Sequence, residues 1–239
     1  MSEIFTFPSE TIRTLIANLR EDLNPHDYQQ EGWVKSKADP SLLLKDIESL
    51  RLKKGYVLRA YTSRSGGNGN GVVWAMPESS PFSEPKDCLA YDEAAFSAPR
   101  PPSTLEPTEV IEGDGSPWSY FCASLLMREL WEFGALWHGT SWGACSVITS
   151  NDPWVEKSEE YLDESKMLSK KPDWEWDHKP ESFKPSVTVG EKEVKVQFVY
   201  YDPVGRETLC LATDNYQPGK YIFKSENLIL GYGKGGIIF

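Results

Sequence analysis

The sequence predicts an α+β protein, with a central buried helix packed against mixed or antiparallel strands and a C-terminal antiparallel β meander or small barrel. Three observations predict it. The stretch WSYFCASLLMRELWEFGALWH, Trp118 to His138, is apolar on nearly every side, as a helix enclosed by the rest of the chain must be. The hexapeptide GGNGNG at 66–71 separates two β-prone runs. Beyond residue 185, short β-prone runs alternate with turn residues at regular spacing.

The elements follow in chain order. Ser9 to Leu23 reads as a helix, because Ile12, Leu15, Ile16, Leu19 and Leu23 recur at helical spacing and Ser9 is an N-cap type. A second helix is expected from Asp39-Pro40 through Leu43, Leu44, Ile47 and Leu50, stopped at Gly55. Tyr56–Thr62 and Val72–Met76 form a hairpin across the Gly/Asn segment, spanning 56–76. That segment lacks the Lys and the following helix of a phosphate-binding loop. Eight prolines between Pro77 and Pro117 exclude regular helix or central strand there, apart from one helical turn over Asp92–Phe96. The central helix, 117–138, is capped by Ser116 and stopped by Gly139. Ala144–Thr149 reads as a strand, and Lys157–Met167 as a helix in a charged stretch. Strands follow at Val187–Val189, Val194–Tyr201, Glu207–Ala212, Lys220–Lys224, Leu228–Tyr232 and Ile237–Phe239. The expected organisation is an α+β part over 1–150, a charged connection over 151–184, and an antiparallel β part over 185–239 packed on the first.

Composition narrows the function classes. The 239 residues carry 36 acidic against 25 basic side chains, a formal net charge of −11. Such a chain repels a phosphate backbone, and the only basic clusters are the pairs Lys53-Lys54 and Lys170-Lys171, so nucleic acid is not expected as a partner. A basic protein or a small molecule is compatible with the charge. No apolar run approaches membrane-spanning length and no secretion signal is legible, which points to a cytoplasmic protein. Cys88, Cys122, Cys145 and Cys210 form no C-x-x-C pair and read as reduced thiols. His26, His138 and His178 show no metal-ligand spacing, so no metal and no cofactor is implied.

Chemistry concentrates on the central helix. Glu129 lies within its apolar stripe, where a carboxylate needs a partner, and Arg59 or Arg128 can supply one. It reads either as a structural ion pair or as a base of perturbed pKa. Tyr120, Ser124, Met127, Trp131 and His138 share the opposite side, which lines either a ligand cleft or a packing interface. His138 lies in WHGTSWG at the expected helix C-terminus, where the dipole favours the imidazolium. The aromatic loop around Trp137, Ser141 and Trp142 is either a recognition loop or a helix cap that plugs the core. A thiol mechanism finds no support on a continuous helix. The dipole would lower the pKa of Cys122, but His138 would lie over about 20 Å away. Trp174, Trp176 and His178 share a face if extended, as packing aromatics do.

Arg59 in a strand and Glu191-x-Glu193 resemble two elements of the ADP-ribosyltransferase pattern. The Ser/Thr strand motif between them is missing, and 190–193 reads as a hairpin turn, so the resemblance assigns nothing. The expectation is a non-enzymatic binding or interaction protein that uses the aromatic loop near Trp137–Trp142, an antitoxin-like or immunity-like role being compatible. The binding candidates are Tyr120, Trp131, Trp137, His138, Ser141 and Trp142. The alternative is a small-molecule enzyme, a hydrolase or transferase, using Glu129 and His138 with Arg59.

Overall fold

The structure is a computed structural model that describes residues 2–20, 25, 31–89, 98–151 and 174–237. The expected helical turn at 92–96, the helix at 157–167, and residues Leu23, His26 and Phe239 lie outside the described residues. Strand accounts for 38% and helix for 22%, with two α-helices among the described residues. This overturns the expected fold class. The architecture is not a central helix packed on strands; β-sheet dominates, and it includes a curled antiparallel half-barrel.

The chain divides into two compact units. The first comprises Met1–Thr14, Ala144–Pro218 and Phe223–Phe239. It holds a seven-stranded sheet built from β1 (Glu3–Thr6), β7 (Ser146–Val147), β8 (Glu175–Trp176), β9 (Ser186–Val189), β10 (Val194–Asp202), β11 (Thr208–Tyr216) and β12 (Phe223–Tyr232). The order is β1-β9-β10-β11-β12-β8, and β7 continues the edge of β10 beyond β9, pairing Tyr200 with Val147. Every ladder is antiparallel. Val194, Val196 and Phe198 of β10 are buried on one face with Ala212 of β11, the cross-strand partner of Phe198. A separate cluster joins Ile148, Trp174, Phe183, Val199, Tyr201, Leu209 and Leu230. The turn at 190–193 is the hairpin read from the sequence, closed by the Gly190 amide on the Glu193 carbonyl at 2.9 Å.

Three sequence expectations change here. Lys220–Lys224 and Leu228–Tyr232 are not two strands, because β12 runs unbroken from Phe223 to Tyr232. The polar residues between them, Ser225, Glu226 and Asn227, are exposed strand positions. Ser9 is the first residue of α1 (Ser9–Leu19), and its hydroxyl donates to the Thr149 carbonyl at 2.7 Å instead of capping. The N-terminal strand β1, over residues to which the sequence assigned no element, pairs β9 from Glu3–Val189 to Thr6–Ser186.

The second unit comprises Leu15–Gly143 and Gly219–Ile222. Its sheet is β2 (Gly32–Lys35), β4 (Tyr56–Ser65) and β5 (Asn68–Pro77), and β3 (Leu50–Leu52) pairs separately with β6 (Ile111–Gly113). The β4–β5 hairpin has the expected place but a tighter turn, Gly66-Gly67, with φ of 56° and 94°. Residues 68–71 therefore belong to the strand. The helix expected from Asp39 is a 3₁₀ segment, Pro40–Leu44, with the Asp39 carboxylate accepting from the Ser41 amide at 2.9 Å. Trp74, Tyr61 and Met76 form a core cluster against Trp33, Val72, Phe82 and Cys88.

The helix α2 spans Pro117–Trp131, with Ser116 at its N-cap as read. It ends seven residues before His138. Glu132 is the C-cap, and Gly134 turns the chain at φ 83°. The apolar run up to Leu136 is real, but beyond Trp131 it is spent on turns.

Candidate functional site

The last turn of α2 and the loop after it bring together most of the candidates. Trp131, the last helical residue, is half exposed at 50%. Leu136 then forms an isolated bridge with Gly69, amide to carbonyl at 3.0 and 3.2 Å. The Trp137–Gly139 turn follows, closed by the Thr140 amide on the Trp137 carbonyl at 2.9 Å. The glycines of the hairpin explain this contact. A Cβ on Gly71 would overlap the Phe133 carbonyl oxygen, and one on Gly139 would overlap the Gly69 carbonyl oxygen. The Gly/Asn segment thus provides a smooth strand surface onto which the 133–139 backbone fits.

Trp137 sits in the middle of this contact with φ 52°, the left-handed region that a bulky side chain rarely adopts, and is 68% exposed. His138 is exposed too, and its amide donates to the Asn68 side chain at 3.4 Å. His138 lies six residues past the C-cap, in the Trp137–Gly139 turn and not in the last turn of α2 where the sequence placed it.

The carboxylates serve the loop. Glu132 accepts from the successive backbone amides of Ser141, Trp142 and Gly143, at 3.0 Å from Ser141 and 2.8 Å from Gly143. It thereby holds the Trp142–Ala144 turn and leaves Ser141 exposed. Glu129 takes the Arg20 guanidinium at 2.9 Å and the Trp142 indole N–H at 2.8 Å on one oxygen. Its cationic partner is therefore Arg20, not Arg59 or Arg128. The Arg128 guanidinium donates to the Ser124 carbonyl at 2.8 Å, and Arg59 lies over the Phe82 ring at 6.0 Å. Both Arg20 and Arg128 stand 5.5 Å from the Trp142 ring centre. Trp142 is buried among these groups.

Tyr120 is on a different side. It is buried, stacks on Tyr221 at 4.8 Å, and its hydroxyl accepts from the Gly219 amide at 2.7 Å. Cys122 is buried as well, and burial pushes its thiol up to about 12, so desolvation outweighs the expected dipole effect.

Two further groups of polar residues had not stood out in the sequence. In the second unit a cleft of about 440 Å³ is lined by Arg51, Lys53, Glu109, Glu112, Lys220 and Tyr221, and by none of the candidate residues above. Within it Arg51 pairs with Glu112 at 3.3 Å, and the Lys53 ammonium donates to the main-chain carbonyl of Glu109 at 3.3 Å. In the first unit the buried Glu207 accepts from the Tyr201 hydroxyl at 2.9 Å and the Gly235 amide at 2.8 Å. A Cβ on Gly233 would overlap that carboxylate, so the Gly-rich 233–236 stretch makes room for an acid. That stretch was the available signal. Compared with protein-family models, with curated proteins and with solved structures, the chain matches none.

Proposed function

We propose that this chain is a non-enzymatic binding protein of the cytosol that engages a basic partner protein through the aromatic loop at the end of α2. The single observation that carries the reading is Trp137, an exposed indole on left-handed backbone. Strain of that kind persists only where the surroundings impose it, and it concentrates at sites of recognition. Here the Gly69–Leu136 bridge and the Glu132 carboxylate impose it from the two flanks. The loop is therefore rigid before any partner arrives, which lowers the entropic cost of binding. Tryptophan is also the side chain most enriched at binding hot spots. The net charge of −11 favours a cationic partner and a salt-sensitive association rate.

The enzyme alternative, with Glu129 and His138 as its acid–base pair, has less support. The Glu129 carboxylate already satisfies an arginine and an indole, and these donors are what a buried structural acid needs.

The test compares affinity capture from source-cell extract by the wild type and by Trp137→Ala and His138→Ala. The expected result is a partner retained by the wild type and weakened at least roughly tenfold by Trp137→Ala, at an unchanged melting temperature. Equal capture by the wild type and by Trp137→Ala removes the loop from recognition.

A further inference from the structure

We propose that β12 is a self-association edge, through which two copies of this chain pair antiparallel about a two-fold axis at Ser225. β12 lies along β11 on one side over its whole length. Its other side meets β8 only at Gly231 and Tyr232, and the Asp177 and His178 amides reach the Leu230 carbonyl at 3.0 and 2.9 Å. Among the described residues, no ladder forms on that side from Phe223 to Ile229. Residues 224–229 are exposed on both faces of the strand. A strand of this kind pairs readily with another strand unless charge, proline or a bulge blocks it. There is no proline in β12, and the irregularity in its register lies beyond Ile229.

The side chains indicate what pairs there. With a two-fold axis at residue 225, each position stands opposite its mirror in the second copy. Lys224 then meets Glu226 of the second copy, and Glu226 meets its Lys224. The next positions on the same face are Ile222, just before the strand, and Leu228. Each therefore meets the other across the axis, and they are 54% and 45% exposed. The order Ile-Lys-Glu-Leu at alternate positions is thus complementary to itself when reversed.

The neighbouring registers are worse. An axis at 224 sets Lys224 on Lys224, an axis at 226 sets Glu226 on Glu226, and a parallel in-register pairing produces both clashes. Charge therefore selects one register as well as one partner. The Lys224–Glu226 contact within one chain, 3.0 Å and 80% and 60% exposed, is exchanged for the intermolecular pair at little cost. Seven residue pairs make a small interface, so the dimer belongs to the weak, reversible class.

Sedimentation velocity on the full chain over a concentration series tests this. The wild type is expected to show reversible dimerisation. Lys224→Glu and Glu226→Lys each weaken it roughly tenfold, because each places two like-charge pairs across the axis. The double variant Lys224→Glu/Glu226→Lys restores it. Circular dichroism confirms that these exposed substitutions leave the fold intact. A wild type that stays monomeric at every concentration, or a dimer indifferent to the single charge reversals, overturns the proposal.

Discussion

Glu129 shows how much of a site a single residue discloses. Its place in an apolar stripe demands a partner, and that demand was legible in the sequence. The identity of the partner was not, because Arg20 lies 109 positions away, on another helix end. The pair is only partly buried, at 25% and 15% exposure, so it is worth less than a fully enclosed one. Glu129→Leu is expected to cost about 2 kcal/mol in urea unfolding, since it strands the guanidinium and the Trp142 indole N–H. Arg20→Met/Glu129→Leu should cost less than the sum of the two single changes, by about 1 kcal/mol. Strict additivity in that cycle would dissolve the pair as an energetic unit. Trp137 was named from the composition of its loop alone. Its backbone conformation has no sequence signature, because nothing in WHGTSWG marks a non-glycine residue for positive φ.

The same limit appears at the level of elements. The start of α2 was legible because Ser116 and Pro117 satisfy orphan amides locally. Its end was misplaced by seven residues, since Phe133 is buried and Leu136 bridges Gly69 without being helical. The hairpin was legible from the Gly/Asn segment 66–71. The reason for Gly71 was not, because its constraint comes from the backbone carbonyl of Phe133. The two kinds of glycine should respond differently. Gly66→Ala faces open space and pays only for positive φ, about 1 kcal/mol. Gly71→Ala collides with a backbone carbonyl that no rotamer change can relieve, and about 3 kcal/mol is expected. Chemical denaturation of the two variants checks the order. Equal losses would mean that the loop does not press on the strand.

For the whole molecule, the dominance of sheet was missed in part because Asn215 and Tyr216 at the end of β11 read as a turn and Ser225 to Asn227 of β12 were assigned no element. In a sheet solvated on one side, alternate polar positions are ordinary. Charge state supplies a prediction at this scale. Burial raises the Cys122 thiol from 9.0 to about 12, and it raises the Tyr61, Tyr201 and Tyr221 phenols above their ordinary 10.0. Since the folded values lie above the unfolded ones, the stabilisation is complete below pH 9 and is lost as pH rises, when the unfolded chain releases protons that the folded chain retains. The melting temperature should therefore be flat near neutrality and fall above pH about 9. Cys122→Ala should delay the onset into the tyrosine range, and an unchanged onset would place the thiol in water. The strap Gly219–Ile222 has a consequence of a different kind. Tyr221 packs against Gly113, stacks on Tyr120 and shares a hydrogen bond with Ser119, which was synthesised 102 positions earlier. At translation rates of about 5–20 residues per second, the nascent helix waits roughly five to twenty seconds for this lid. Ribosome-bound intermediates that stop short of Gly219 are then natural clients for chaperones, and neither unit can be expressed whole as one uninterrupted fragment.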